Sequence, residues 1–338
     1  MSAGPEFAVA IPAHDALPDL LDAVQSVLDQ TRAAAEIVVA DDRSSDGTRD
    51  ALVRRFGDRV RVVSGSFGSA AAARNAAWRA SRAPWVAFLD ADDLWLPEKL
   101  ARATERLRAA PEAGWFFSDG AFRTLEGELQ PSWFAIWADL EDPYVGSPIA
   151  ELFEVNFVLT SSVVARRDLL ESAGGFDERM SHAEDLKLWI ELARRAPAAG
   201  SGLPLVRYQH LPGGLTRQVE ARLSGNAALF EALSADATLA APLRRRARAR
   251  AALSRYKLAV AALRDGRPAD ARRHLPGAWL FPERALAVLP VFAASWLPPA
   301  LLAGIRRQRW ATRPIAAPLG RPRRVRLHGG VPRREEAA

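Results

Sequence analysis

The chain has 338 residues, 49% of them hydrophobic and 25% charged, which is enough apolar material for one large folded domain and a smaller one. It contains no cysteine, so disulfides, thiolate metal sites and a cysteine nucleophile are excluded, as suits a cytoplasmic protein. The formal net charge is +6, and arginines gather late, at 243–250, 305–309 and 321–326, after acidic residues thin out beyond Glu191. Such clusters meet nucleic acid, anionic lipid or only water.

Residues 1–15 carry no basic stretch of the kind that opens a secretory leader, and run straight into an apolar strand at 7–12. Residues 17–28 repeat Leu20, Leu21, Val24, Val27 and Leu28 at helical spacing. A second strand at 36–40 leads to a polar turn at 41–48, a helix at 49–56 and a third strand at 60–63. A Gly/Ser/Ala loop at 64–69 opens a helix that runs to about residue 80, and a fourth strand at 85–89 ends in Asp90. Strands alternating with helices predict an α/β fold, a mostly parallel sheet flanked by helices. Ligands bind such sheets beyond the carboxyl ends of the strands. His14–Asp15, Asp41–Asp42 and Asp90–Asp93 are therefore expected on one rim. Residues 114–167 are less regular and rich in Trp and Phe, whereas 168–173 and 184–195 read as helices. The expected domains are a catalytic 1–220, a helical C-terminal 221–313 and a disordered basic tail at 314–338.

Asp90, Asp92 and Asp93 crowd the end of the fourth strand in AFLDADDLWLPEKL. Uncompensated, they raise one another's pKa values; a hard divalent cation, Mg2+ or Mn2+, removes the conflict. An Asp-rich turn capping the helix near Pro97 accounts for the same residues equally well. The run DDRSSDGT at 41–48 reads as a turn, with Ser45 or Asp46 as a helix cap, or as an Asp pair accepting hydrogen bonds from a base or ribose. Glu184 and Asp185 open a helix whose Leu186, Leu188, Trp189 and Leu192 point inward. The macrodipole favours charge there, and a carboxylate in that place also serves as a general base.

Read together and in order, VAIPAHD, VVADDRSSDGT, GSAAAARNAAWRAS, WVAFLDADDLWLPEKL, TSSVVARRDLLESAGGFDE and AEDLKLWIEL resemble the family 2 inverting glycosyltransferases. The resemblance spans roughly residues 6–217. It implies a GT-A-like fold and transfer of a sugar from a nucleotide-sugar, foremost a UDP-sugar, to a hydroxyl acceptor. That acceptor is a glycan, a lipid-linked sugar or a small molecule, in cell-envelope or exopolysaccharide synthesis. The resemblance places Pro12, His14, Asp41, Asp42, Arg74, Asn75, Asp90 and Asp92 on the nucleotide-sugar, with Asp42 at the base and His14 replacing a more usual aromatic. It puts Mn2+ or Mg2+ on Asp92 and Asp93, with Asp93 the more direct ligand, and makes Asp185 the catalytic base. His210, in RYQHLPGGLTR, is similar to a His-Pro-Gly segment of relatives, with Leu211 inserted.

Trp115, Trp133, Trp137 and Phe157 fall where such enzymes recognise acceptors; aromatic faces stack on sugars and equally fill cores. The apolar stretch 285–305 is long enough to span a membrane, but Pro290, Pro298 and Pro299 break it, which predicts two short interfacial helices. Flanking Arg284, Arg306, Arg307, Arg309 and Arg313, with Trp296 and Trp310, suit peripheral contact with the cytoplasmic face of the inner membrane, or else a packed helical subdomain or dimer contact. A nucleotidyltransferase would need a Gly-rich phosphate loop, which VAIPAHDALP lacks. No recognised motif makes nucleic acid an expected partner. A non-catalytic nucleotide-sugar or glycan binder is the alternative, and the presence of Asp185 argues against it.

Overall fold

The computed structural model describes residues 4–123, 128–209, 218–278, 285–297 and 324–329. The chain divides into two compact units, residues 1–214 with 324–333, and residues 215–323 with 334–338.

In the first unit, apolar runs make the central strands. β1 (Phe7–Ala13), β2 (Glu36–Asp42) and β4 (Trp85–Phe88) are buried almost throughout, as strands covered on both faces must be. β3 (Arg61–Gly65) is the partly exposed edge. Three helices link these strands: α1 (Asp19–Leu28), α2 (Thr48–Phe56) and α3 (Ala70–Ala80). α1 turns Leu20, Val24 and Val27 inward along one stripe. α3 buries mostly alanines, whose small side chains let its backbone lie close to the sheet. Beyond β4 come β5 (Leu94–Trp95), α4 (Lys99–Ala109), β6 (Trp115–Arg123), β7 (Leu129–Gln130), α5 (Phe134–Trp137), β8 (Ala138–Leu140) and β9 (Tyr144–Gly146). Then follow α6 (Ile149–Leu152), β10 (Val164–Arg166), α7 (Arg167–Ala173), α8 (Glu184–Arg195) and β11 (Ala198–Tyr208).

The sheet order is β3-β2-β1-β4-β10-β6-β11-β5, with β7 on β6 and β9 on β11. β1, β2, β3 and β4 pair in parallel, as do β6 and β11. β10 runs antiparallel to both β4 and β6, and β5, β7 and β9 are antiparallel to their partners. The expected α/β architecture, a sheet flanked by helices, is present; the first half of the sheet is parallel and the second is mixed. Among the described residues no crossover helix leads into β10. A 3-10 turn at Thr160–Ser162 feeds it from the carboxyl-end rim, so it runs back against its neighbours. The chain steps outward from β1 to β2 and β3, then returns to β4 on the other side of β1. That reversal opens a crevice at the carboxyl ends of β1 and β4.

The core under the rim is aromatic. Trp115 and Trp189 stack at 6.3 Å and 10°, and Phe88 meets Phe176 edge-on at 5.1 Å. β12 (Val325–Leu327) pairs in parallel with β8, burying Val325 and Leu327, and Arg324 Nη2 donates to the Ala138 carbonyl at 2.9 Å. Two apolar side chains alternate inward at this strand, which falls within the 314–338 expected as a disordered basic tail.

The second unit is helical: α9 (Val219–Ala235), α10 (Ala241–Arg264), α11 (Pro268–Ala278) and α12 (Ala285–Ala294). Ala259, Ala262 and Ala271 pack with Leu263, Leu275, Val288 and Val291 in a small core. The arginine-rich start of α10 turns Ala247 and Ala251 inward and leaves Arg245, Arg246 and Arg248 exposed, a solvated helix face. Among the described residues no helix is long and apolar enough to cross a membrane. Residues 298–305 of the proline-broken stretch lie outside the described residues.

Candidate active site

The first wall is made by the loops that leave β1 and β2. Ala13 pairs with Asp41, so both strands end at one level. Pro12 lies within β1, buried opposite Ala40. The His14 Nδ1–H donates to the Asp42 carbonyl at 2.7 Å, which fixes its tautomer, while its side chain stays 63% exposed. Ser45 N–H donates to Asp15 at 2.6 Å and Leu17 N–H to Asp46 at 3.0 Å, tying the two loops together. Asp41 accepts from Ser44 N–H at 3.1 Å. The Asp42 carboxylate reaches the loop after β3, where Phe67 and Gly68 N–H groups each donate to it at 2.7 Å. Gly68 sits at φ +75°, a conformation that costs glycine little.

The acidic turn after β4 is pinned from two sides. Asp90 N–H donates to Ser161 Oγ at 3.0 Å, and the Ser161 hydroxyl donates to Asp93 at 2.5 Å. Gln209 N–H occupies the other Asp93 oxygen at 3.0 Å. Asp93 is only 1% exposed, and burial, then the charges of Asp92 and Asp90, hold its carboxyl well above the usual range. Asp93, expected as the more direct metal ligand, anchors the turn from inside with a hydrogen bond on each oxygen. Asp92 is half-buried, and burial together with the Asp90 charge pushes it up to about 6. A divalent cation fits this donor set, since hard oxygens crowd there with unbalanced negative charge. Among the described residues no three acidic or histidine side chains converge as a cage. An ion held by Asp92, with Asp90 beside it, would draw its other ligands from substrate phosphate and water.

The two sides of the crevice meet in one side chain. Arg74, on α3 and 7% exposed, donates through Nε and Nη2 to Asp90 Oδ1 at 2.9 and 2.8 Å, and through Nη1 to Glu184 at 3.3 Å. Burial opposes its charge, but Asp90 and Glu184 outweigh that and keep the guanidinium ionised. Glu184 opens α8 after Ala183, a non-glycine residue at φ +67°. Burial, with Asp185 beside it, raises Glu184 to about 7. Asp185 is raised by burial as well. Its Oδ1 accepts from Leu186 N–H at 2.6 Å and its Oδ2 from Asn156 Nδ2 at 2.9 Å. The site thus holds a carboxylate pair suited to a cation on one side, a basic carboxylate on the other, and a buried arginine between them.

The sequence profile of Glycosyl transferase family 2 matches residues 8–164, from β1 through the acidic turn to the start of β10. This segment belongs to glycosyltransferase family 2. The putative teichuronic acid biosynthesis glycosyltransferase TuaG of Bacillus subtilis is 40% identical over 104 residues, 30% of this chain and 41% of that protein. The UDP-Glc:alpha-D-GlcNAc-diphosphoundecaprenol beta-1,3-glucosyltransferase WfgD of Escherichia coli is 36% identical over 93 residues, 27% of this chain and 37% of that protein. The chain therefore spans less than half the length of these curated relatives. The S. aureus TarS 1-349 structure in complex with UDP-GlcNAc superposes with a TM-score of 0.66 at 16% identity, over 90% of this chain and 92% of that one. The mannosyltransferase PcManGT from Pyrobaculum calidifontis, in complex with GDP-Man and Mn2+, gives 0.56 at 20%, over 92% and 89%. At these identities the likeness is one of fold, and that fold is the GT-A glycosyltransferase fold.

Asn75, expected on the nucleotide-sugar, has its amide engaged within the protein. Its Nδ2 donates to Phe176 O and Glu178, and its Oδ1 accepts from Phe176 N–H and Trp78 Nε1, at 2.7–3.0 Å. Four bonds satisfy the amide completely, so Asn75 clamps the Gly174–Gly175 loop onto α3 and has nothing left for a ligand. Trp115 and Phe157 are fully buried core. Trp133 and Trp137 are half-buried, 5.7 Å apart, and Tyr208 lies 5.9 Å from Trp133. Asp119, on β6, holds their segment by accepting from Phe134 N–H at 2.9 Å and the Ser132 hydroxyl at 2.5 Å. His210 lies outside the described residues. Sequence reasoning missed Asn156, Ser161 and Asp119, and did not foresee the ion pair of Glu184 with Arg74. Asp119 had one signal, a carboxylate inside the apolar run WFFSDG, which must be buried and therefore bonded.

Proposed function

We propose that this chain is an inverting glycosyltransferase that moves a sugar from a UDP-sugar to a hydroxyl of a glycan, lipid-linked or small-molecule acceptor, in cell-envelope or exopolysaccharide synthesis. The observation that carries this reading is the Arg74 bridge, which brings Asp90 and the Glu184–Asp185 pair to one crevice. Asp185 takes the acceptor proton as the hydroxyl oxygen bonds the anomeric carbon, from the face opposite the leaving nucleotide. The bond from that carbon to phosphate breaks, and its electron pair leaves with the diphosphate. A burial-raised carboxylate is a stronger base than an exposed one, and Asn156 and Leu186 hold it in place. Asp92 and Asp90 would hold Mn2+ or Mg2+, which when bound neutralises charge on the departing diphosphate. The wall of His14, Asp41 and Asp42 takes the base and ribose. The relatives support UDP: WfgD is named for UDP-Glc and TarS was solved with UDP-GlcNAc.

The helical unit carries the membrane part of the proposal. Leu289, Phe292 and Trp296 are 49%, 41% and 65% exposed at near-helical spacing, and Arg272 lies 4.5 Å over the Trp296 ring. The chain has no Asp or Glu between Arg284 and Arg334. An apolar ridge within so basic a stretch suits the headgroup layer of an anionic bilayer on its cytoplasmic face.

A thermal-shift panel of UDP-glucose, UDP-GlcNAc and GDP-mannose, with and without Mn2+, tests the donor. Asp185→Asn is expected to lower nucleotide release about 10²–10⁴-fold while the donor-induced shift persists. Wild-type turnover in that variant removes Asp185 as the base. Co-sedimentation of the full chain with phosphatidylglycerol vesicles, against the Phe292→Ser/Trp296→Ser variant, tests the ridge; equal partitioning excludes it.

A further inference from the structure

The base has a partner that no part of the catalytic sequence pattern announces. Asn156 follows α6 in an irregular stretch and stands 29 residues before Asp185, yet its Nδ2 lies 2.9 Å from Asp185 Oδ2. Its backbone is fixed by the next residue. The Phe157 carbonyl accepts from Trp133 Nε1 at 3.0 Å, and the Phe157 ring packs on Phe117 and Phe134 at 5.7 and 6.2 Å. The other Asp185 oxygen is held by Leu186 N–H. Two donors from two separate elements therefore set the carboxylate plane.

The charges around Asp185 do not do this work. Glu184 beside it on α8 and Asp90 after β4 are negative, and Arg74 on α3 directs its donors to those two residues. The remaining atom of Asn156 is informative. Its Oδ1 is buried with no hydrogen-bond partner among the described residues. A buried carbonyl left unpaired has a cost, and an amide kept for packing alone would be satisfied at both ends. Half a turn about its Cβ–Cγ bond exchanges Nδ2 for Oδ1, and Oδ1 accepts where Nδ2 donated.

We propose that Asn156 is the positioning residue of Asp185, donating to its carboxylate before transfer and, after amide rotation, accepting from the carboxylic acid formed by transfer. The proposal rests on Asp185 being the base. In the step itself the acceptor O–H bond breaks and its proton goes to Asp185 Oδ2. The new bond to the anomeric carbon forms, and the bond from that carbon to phosphate breaks with its electrons leaving on the nucleotide. Asn156 exchanges no atoms.

The test reads Asp185 directly. The side-chain carboxyl carbon of Asp185, assigned by its loss in Asp185→Asn, is titrated by ¹³C NMR in wild type, Asn156→Ala and Asn156→Ser. The hydrogen bond to the charged form is the stronger of the two, so losing both moves the midpoint upward by about one pH unit in Asn156→Ala. The acid limb of nucleotide release, measured with UDP-GlcNAc and water as acceptor, moves by the same amount, with kcat lowered and donor KM unchanged. Asn156→Ser, whose hydroxyl both donates and accepts, returns the limb towards wild type. An unmoved midpoint in Asn156→Ala, with Asp185→Asn inactive, overturns the positioning role alone. Wild-type turnover in Asp185→Asn overturns the base reading and this role with it.

Discussion

On the proposed donor wall, Asp41, Asp42 and Asp90 reach the rim because β2 and β4 end there, in parallel register with β1. On the wall proposed to hold the catalytic base, Asn156, Glu184 and Asp185 come from an irregular stretch and from a helix that starts after a left-handed Ala183. The donor wall is delivered by apolar strands that would form with other side chains at their ends. The base wall depends on individual buried hydrogen bonds, of which Arg74 and Asn75 make the most consequential. The two walls should therefore fail differently when single side chains are removed.

The largest effect is expected from Arg74→Met, which leaves Glu184 and Asp90 facing each other without a cation. Breaking a buried pair in this way costs about 3–5 kcal/mol, and nucleotide release should vanish. Urea unfolding with a turnover assay checks it, and a stable, active variant would mean the walls are not joined through Arg74. Asn75→Ala comes next. It unclamps the Gly174–Gly175 loop and strands its partners, lowering stability by about 2–3 kcal/mol. Donor affinity, read by calorimetry on the folded fraction, should hold; a selective loss of affinity would return Asn75 to the donor wall.

The smallest effect is a pH slope. Glu184 is raised from 4.5 to about 7 by burial and by Asp185, so in that window the folded chain keeps a proton that the unfolded chain has released. The stability this gives is complete below the unfolded value and is lost as pH rises through 7. Glu184→Gln cannot ionise and removes the slope. The Tm of the variant minus that of wild type should therefore grow more positive from pH 5 to pH 8, and a constant difference would show that Glu184 ionises normally.

Much of the donor wall was legible in the residues. EIVVADD and WVAFLD announce buried strands ending in carboxylates, and the pattern needs no knowledge of what packs against them. The internal bonds of Asp93 were not legible, because neighbouring carboxylates on one turn are indistinguishable until Ser161 and Gln209 claim one of them. The bonds of Asn75 were hidden likewise, since an Asn beside an Arg on α3 does not reveal that it faces the Gly174–Gly175 loop. Val325–Leu327 could not be read as a strand because its partner, β8, lies far back in the chain.

By itself the sequence determined the order of the first four strands and three helices, the acidic ends of β2 and β4, and the family to which residues 8–164 belong. These follow from apolar periodicity, which acts over a few neighbouring residues. Tertiary structure alone decided the direction of β10, the inward turn of Asp93, the Arg74 bridge and the hold of Asn156 on Asp185. Those bonds join residues 68 to 116 positions apart at the donor side, 110 at the bridge and 29 at the base. A hydrogen bond over such separations is chosen by which buried polar groups the packed core leaves facing one another, and no local pattern carries that choice.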